Sequence, residues 1–291
     1  MLTQEQIADY HKKGYLGIEN VFSPAEVKQL QQVTDEFIEQ SRTIAEDDSI
    51  FELEPGHAPQ TPKVRRLRNP VGQHPAYAQA LRNERVLDIV AQLIGPAIRT
   101  NGNKLNMKLS ELGSPVEWHQ DWAFYPHTND DLLAVGVCID DMTAENGCLM
   151  VVPGSHKGKI YDHHQDGYFI GAVTEADFDD SAAEKIELKA GGLSIHHVRA
   201  LHGSLPNTSD KPRRLMLFQY CAADAFPIGG GLNDWDQFNS MLLRGEPVFE
   251  PRLEKVPVRT PLPKPDRKGG IYELQKQLER STFNTAAQRG A

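Results

Sequence analysis

Apolar and polar positions follow two regimes along the chain. Up to about residue 97, apolar residues recur mainly at helical spacing; from Ile98 to about residue 222 they form short runs broken by turn signals. In the first regime Thr3 can cap a helix over Gln4–Lys13, stopped by Gly14. Ser23-Pro24-Ala25-Glu26 starts a second helix, with Ser at the N-cap, Pro at the first helical position and Glu closing a capping box. Val27, Leu30, Val33, Phe37 and Ile38 give it an apolar face, and residues 15–21 between the two helices read as a short strand. The spacing predicts one further helix over 80–94, ended by Gly95-Pro96, and a mobile loop over the acidic, then proline-rich stretch 46–63.

The second regime predicts strands over 98–110, 116–122, 132–140, 147–152, 184–188, 193–197 and 214–222, as in a sandwich or barrel. Glu145-Asn146-Gly147 carries the Asn-Gly signal of a tight hairpin. Beyond about residue 224 the chain reads as irregular: repeated prolines (Pro247, Pro251, Pro257, Pro261, Pro263, Pro265) prevent regular helix there, and a short helix is expected near 270–281. This tail has three readings: it wraps the domain, covers a site or mediates self-association into a homo-oligomer.

Composition narrows the classes. With 39% hydrophobic residues in a chain of 291, a sizeable core is available and wholesale disorder is excluded. A single domain is expected: residues 1–97 mainly helical, 98–222 the β core, 223–291 an irregular extension. The net charge of −9 argues against nucleic acid as a partner, and no apolar run reaches the length of a membrane span. The polar start MLTQEQIADY and three cysteines without CxxC spacing make a reducing cytoplasm the expected location.

Chemistry concentrates at Val116-Glu117-Trp118-His119-Gln120-Asp121-Trp122. On one strand, His119 and Asp121 would share a face, their Cα atoms roughly 6–7 Å apart, so that one ion could bind an imidazole and a carboxylate. Alone, HxD is a weak signal. A distal histidine, His202, follows the strand that starts at Gly191-Gly192, and Arg213 then opens a further strand. Two histidines and one carboxylate form the facial triad of non-heme Fe(II), and a guanidinium beside it can fork a carboxylate.

With these motifs in order, the sequence resembles the phytanoyl-CoA dioxygenase family of Fe(II)/2-oxoglutarate oxygenases. The resemblance covers most of residues 1–222. It includes the opening Gln6…Tyr10-His11-Lys12-Lys13-Gly14-Tyr15-Leu16, then His119-Gln120-Asp121, Asn146-Gly147-Cys148-Leu149 with Pro153-Gly154-Ser155-His156, and His202-Gly203-Ser204, Asn207, Ser209 and Arg213-Arg214.

The resemblance implies a mainly β fold, a double-stranded β-helix (jelly roll) with helices outside. It implies Fe(II), 2-oxoglutarate and O2 as cofactor and cosubstrates, and hydroxylation of a C–H bond of a small molecule with release of succinate and CO2. By the same resemblance His119, Asp121 and His202 match the iron ligands, and Arg213 the anchor of 2-oxoglutarate, with Arg214 as the alternative if the register shifts by one. Met107, Lys63 and Gln120 match positions lining the cosubstrate pocket, and an aromatic position of relatives is Val137 here. Related halogenases replace the carboxylate ligand with a small residue, so Asp121 predicts oxygenation.

The remaining features have blander readings. His163-His164 and His196-His197 read as supporting or surface residues, since both members of a pair cannot face inward from one strand. Trp118 and Trp122 read as packing, and Phe124, Tyr125 and His127 as either a substrate rim or surface-loop packing. The run Lys63-Val64-Arg65-Arg66-Leu67-Arg68 reads as a solvated face or, with Lys63 foremost, as an anion site. Gly229-Gly230-Gly231 lacks the Lys-Ser/Thr of a phosphate loop. Two competing classes are a cupin-like isomerase or lyase that does not use 2-oxoglutarate, against which Arg213 argues, and a non-catalytic binding module, against which the complete ligand set argues.

Overall fold

The computed structural model describes residues 1–283 apart from 111–112, 176–177, 231 and 267–268; Gly231 of the glycine run therefore lies outside the described residues. Helices α1 (Gln4–Lys13) and α2 (Pro24–Gln40) form as expected, each with a complete capping box, and Gly14 ends α1 at φ 83°. The single helix expected over 80–94 is two. After the short α3 (Pro70–Gln73), α4 (Pro75–Leu81) stops and Asn83 caps α5 (Glu84–Ile94) by accepting from the Arg85 amide.

Strands β1 (Tyr15–Ile18), β2 (Phe51–Leu53), β3 (Val64–Arg68), β4 (Ile98–Lys108), β5 (Val116–His119), β6 (Leu132–Cys138) and β7 (Leu149–Val151) are followed by the small pair β8 (His164–Gln165) and β9 (Tyr168–Phe169). Then come β10 (Glu184–Ile186), β11 (Leu193–His197), β12 (His202–Ser204), β13 (Arg213–Ala222) and β14 (Leu242–Arg244), with α6 (Trp235–Ser240) and α7 (Ile271–Gln275) in the extension. The eight-stranded sheet runs β1-β11-β6-β13-β4-β3-β2 with β14 beside β4, and the four-stranded sheet runs β10-β7-β12-β5. Their pairings are antiparallel, giving the jelly roll.

Period-two alternation sorts the larger sheet into two faces. Leu105, Met107, Val135, Val137, Ile195, Met216, Phe218 and Tyr220 pack outward against Val27, Leu30, Phe37, Leu87 and Val90 of α2 and α5 in the main hydrophobic core. Each such buried aliphatic or aromatic side chain contributes about 1.5–3 kcal/mol. The opposite face of the same strands looks between the sheets, and the site lies there.

Three expectations fail locally. The stretch 46–63 contains the buried strand β2, because Glu52 lies inside an ion-pair cluster with Arg66 and Arg68 (3.3 and 2.9 Å). Asn146-Gly147 makes a turn but no hairpin, since β6 and β7 belong to different sheets. The strand expected over 116–122 ends at His119, and Asp121 opens a 3-10 turn, Asp121–Ala123.

Candidate metal centre and cosubstrate pocket

The inward face of the large sheet carries Lys104 and Asn106 from β4, Ala134 from β6, His196 from β11, and Arg213, Leu215, Leu217 and Gln219 from β13. Facing them, the small sheet supplies His119 from β5, Leu149 from β7 and His202 from β12. Together they enclose a cavity of about 40 Å³.

His119 and His202 are register partners across β5 and β12, with ring centroids 4.1 Å apart. Asp121 reaches them by a different route from the one expected. The chain leaves the strand after His119, and the 3-10 turn swings the carboxylate back until Oδ1 is 3.9 Å from His119 Nε2. Gln120 fixes this turn: its side chain donates to the carbonyls of Arg199 and Lys159 and accepts from the Tyr161 amide, while its own amide donates to His163 Nε2.

One donor atom from each of His119, Asp121 and His202 lies within 4.8 Å of the others. Nδ1 of His119 faces the Glu117 carbonyl (2.8 Å) and Nδ1 of His202 the Ala200 carbonyl (2.9 Å). A carbonyl can only accept, so each Nδ1 carries the proton and each Nε2 keeps a free lone pair. Burial pushes the His119 imidazole down to about 4 and His202 well below its usual range. Burial alone would raise the Asp121 carboxyl, but the His196 contact and the Lys104 ammonium outweigh it and hold the acid well below its ordinary value. Two neutral imidazoles and one carboxylate thus converge, the donor set that suits Fe(II) with positions left open.

Arg213 opens β13 facing the cavity and is buried; its Nη2 donates to the Gly147 carbonyl (3.0 Å) and its Nε has no partner. Arg214 faces the other way, held by Asp140 (2.7 and 2.8 Å) and Asp35 (2.5 Å). The register therefore selects Arg213 as the guanidinium inside the site.

The other three expected pocket residues lie elsewhere. Met107 follows the outward parity of β4 into the helix-facing core, and the same parity places Val137 there. Lys63 borders a separate surface hollow with Glu54, Thr61 and Pro212. Gln120 is the internal brace just described. Of the basic run, Arg65 and Arg66 are buried.

Four further residues lie at or beside the site: the sequence left a supporting role open for His196 and a substrate-rim role for Tyr125, and singled out neither Lys104 nor Gln219. His196 Nε2 lies 3.5 Å from Asp121 Oδ2, while His197 points away, beside His156 and Tyr10. Lys104 is half-buried at the cavity wall, its ammonium lowered by burial and opposed in that by Asp121. Gln219 donates to the Tyr125 hydroxyl (2.7 Å), and burial beside Asp121 keeps that phenol protonated. The stretch Lys104-Leu105-Asn106-Met107-Lys108 does contain a signal, since its polar residues alternate on one face and its apolar residues on the other.

Solved structures share the fold. The EctD structure from S. alaskensis superposes with a TM-score of 0.67 at 24% identity, covering 88% of this chain and 88% of that one. The non-heme alpha-ketoglutarate-dependent carbocyclase SnoK of nogalamycin biosynthesis gives 0.63 at 23% identity, over 85% of this chain and 94% of that one. The shared fold is the jelly roll of the Fe(II)/2-oxoglutarate oxygenases.

Residues 10–215 match the phytanoyl-CoA dioxygenase (PhyH) family, and the chain belongs to it. A probable alpha-ketoglutarate-dependent hypophosphite dioxygenase of Stutzerimonas stutzeri is 35% identical over 96% of this chain and 99% of its own length. The L-proline trans-4-hydroxylase of Streptomyces griseoviridis is 27% identical over 72% of this chain and 83% of its own. The protein is accordingly an Fe(II)- and 2-oxoglutarate-dependent dioxygenase that uses O2. No helix among the described residues is long and apolar enough to cross a membrane.

Proposed function

We propose that His119, Asp121 and His202 hold the Fe(II), that Arg213 receives the distal carboxylate of 2-oxoglutarate, and that the substrate is a small anion met by Lys104. The observation that carries the reading is the convergence of three metal-donor atoms and one buried guanidinium on a single cavity. With iron bound, the centre supplies oxidative decarboxylation of 2-oxoglutarate to succinate and CO2, with transfer of one oxygen atom of O2 to the substrate.

The chain's own residues do the positioning. His119 and His202 present Nε2 because backbone carbonyls hold the opposite nitrogens. Arg213 is pre-oriented by Gly147 and offers its remaining donors to a carboxylate. Lys104 stands near Asp121, on the metal side of the cavity, and Gln219 with Tyr125 adds neutral donors there. A small cavity with one ammonium and a few hydrogen-bond donors fits a compact oxyanion. The relatedness along nearly the whole chain to a protein described as acting on hypophosphite supports the same class. Hypophosphite carries P–H rather than C–H bonds, so the expected bond widens from C–H to an X–H bond of a small anion.

The chain acts as one catalytic domain whose C-terminal extension closes the site. A cytoplasmic setting, where its three buried free cysteines stay reduced, fits a ferrous enzyme. The test is succinate release from 2-oxoglutarate under air with Fe(II), scanning hypophosphite, small carboxylates and neutral amino acids. For hypophosphite the balance is H2PO2⁻ + 2-oxoglutarate + O2 → H2PO3⁻ + succinate + CO2, read by phosphorus NMR. Stimulation by a small anion with stoichiometric oxygenated product is expected. Stimulation by neutral substrates alone overturns the anion assignment.

A further inference from the structure

We propose that the C-terminal segment completes the cosubstrate pocket, the Tyr272 hydroxyl joining Arg213 in binding the distal carboxylate of 2-oxoglutarate. The inference rests on the assignment of Arg213 as that carboxylate's anchor.

The segment is built into the wall of the site. Ile271, the first residue of α7, lines the cavity with Val116 and Arg213, and Ile271, Tyr272 and Val116 pack as one cluster. Gln275 accepts the backbone N–H of Glu117 (3.0 Å), on the strand that ends in His119, and donates to the Gly171 carbonyl (2.8 Å). Glu273 pairs with Arg65, and the Thr282 amide donates to the Glu117 carboxylate (2.8 Å). The family match ends at residue 215, so the C-terminal partner in each of these contacts lies beyond it.

Tyr272 is 4% exposed. Its ring lies 5.2 Å from the Arg65 guanidinium and 5.0 Å from that of Arg66, and Arg66 Nε donates to Asn106, a cavity residue (2.9 Å). The Tyr272 hydroxyl has no hydrogen-bond partner, nor have Arg213 Nε and Arg66 Nη2, although all three atoms are buried. Unpaired buried donors are costly; Arg213 lines the cavity, Tyr272 follows the lining residue Ile271, and Arg66 bonds the lining residue Asn106, so an acceptor in the cavity would serve this side of it. A carboxylate offers about four lone-pair sites, enough for a guanidinium fork and a phenol together. Burial also raises the Tyr272 phenol, so it remains a donor, and it interacts electrostatically with Arg213.

The test is Tyr272→Phe in the full chain, which keeps the ring over Arg65 and Arg66 and removes only the hydroxyl. The Fe(II)-loaded protein is titrated without oxygen with 2-oxoglutarate, and separately with 2-oxopentanoate, which has the same chain length but no distal carboxylate. Binding is followed by the visible charge-transfer band of the chelate. The expected result is a Kd for 2-oxoglutarate raised ~10-fold or more, with 2-oxopentanoate unaffected. An unchanged Kd for 2-oxoglutarate, or an equal loss for both compounds, overturns the proposal. Arg213→Ala is measured beside it. Loss there with none in Tyr272→Phe removes only the role of Tyr272, whereas no loss in Arg213→Ala removes the anchor assignment as well.

Discussion

His196 Nε2 stands 3.5 Å from Asp121 Oδ2 while His119 Nε2 stands 3.9 Å from Oδ1, so each carboxylate oxygen faces a different imidazole. The oxygen beside His119 faces the candidate metal centre; the other is approached from β11 by His196, within reach but without a made hydrogen bond. A carboxylate held by an outer partner keeps its orientation toward the ion, and loss of such a partner typically costs 10–100-fold in metal affinity. We therefore expect His196→Ala to weaken Fe(II) binding by about that factor while the fold persists. Anaerobic titration with Fe(II) measures this, and wild-type affinity in the variant would show the contact to be incidental.

Asp121→Ala probes the turn that the strand pattern did not foresee. Removing the single anionic member of the triad leaves two neutral imidazoles, too weak a donor set for a ferrous ion. Stoichiometric iron binding and all turnover should disappear, with circular dichroism unchanged. Retained 2-oxoglutarate decarboxylation would mean that another group completes the centre.

Much of this site was legible in the sequence because its main parts are distinctive residue types in a fixed order. HxD, the distal His202 and Arg213 announce themselves by residue type and order, and the capping boxes of α1 and α2 are short-range chemistry. What was not legible depends on which face of the large sheet looks inward. Met107 and Val137 pack outward because α2 and α5 cover that face, and Lys104 and His196 look inward for the same reason. The location of the helices, not the strands' own pattern, fixes this choice. Glu52 falls in the expected mobile loop and Arg66 in a basic run read as a solvated face or an anion site, since only the pairing of β2 with β3 brings them together. The tail's role was invisible because Gln275 and Thr282 meet Glu117 across a long sequence separation.

Adjacent arginines should give opposite phenotypes. Arg213→Ala removes the cavity guanidinium and should raise the Kd for 2-oxoglutarate ~10–100-fold, the equivalent of a charge-assisted pair of about 1.5–3 kcal/mol. Arg214→Ala leaves Asp140 without its bidentate partner on the helix side and should lower stability by ~1–3 kcal/mol. Its 2-oxoglutarate affinity should stay near wild type. Charge-transfer titration and denaturant unfolding of both variants settle the pair, and the reverse pattern would place Arg214 in the site.

Lys104→Met tests the substrate class. The ammonium is the cationic group of the cavity nearest the Asp121 side of the site, so its loss should raise KM for an anionic substrate at least ~10-fold. Binding of 2-oxoglutarate should change little. A selective fall in 2-oxoglutarate affinity would instead assign Lys104 to the cosubstrate, and an unchanged KM would leave the substrate anion to other donors.

Gly147 joins stability to cosubstrate binding. Its φ of 79° is a conformation that side chains other than glycine's adopt at a cost, and an added Cβ would lie 2.4 Å from the Leu205 carbonyl oxygen. Its own carbonyl is the acceptor that orients Arg213. Gly147→Ala must therefore move the backbone at Gly147, which carries the acceptor of Arg213, or at Leu205. We expect a stability loss of about 1–3 kcal/mol together with weaker 2-oxoglutarate binding, and a smaller effect on Fe(II) affinity, since of the three candidate ligands only His202 lies on the strand that leads into Leu205. Thermal unfolding and the two titrations read these separately. A destabilised variant with full 2-oxoglutarate affinity would show that Arg213 is oriented by the bound carboxylate rather than by Gly147.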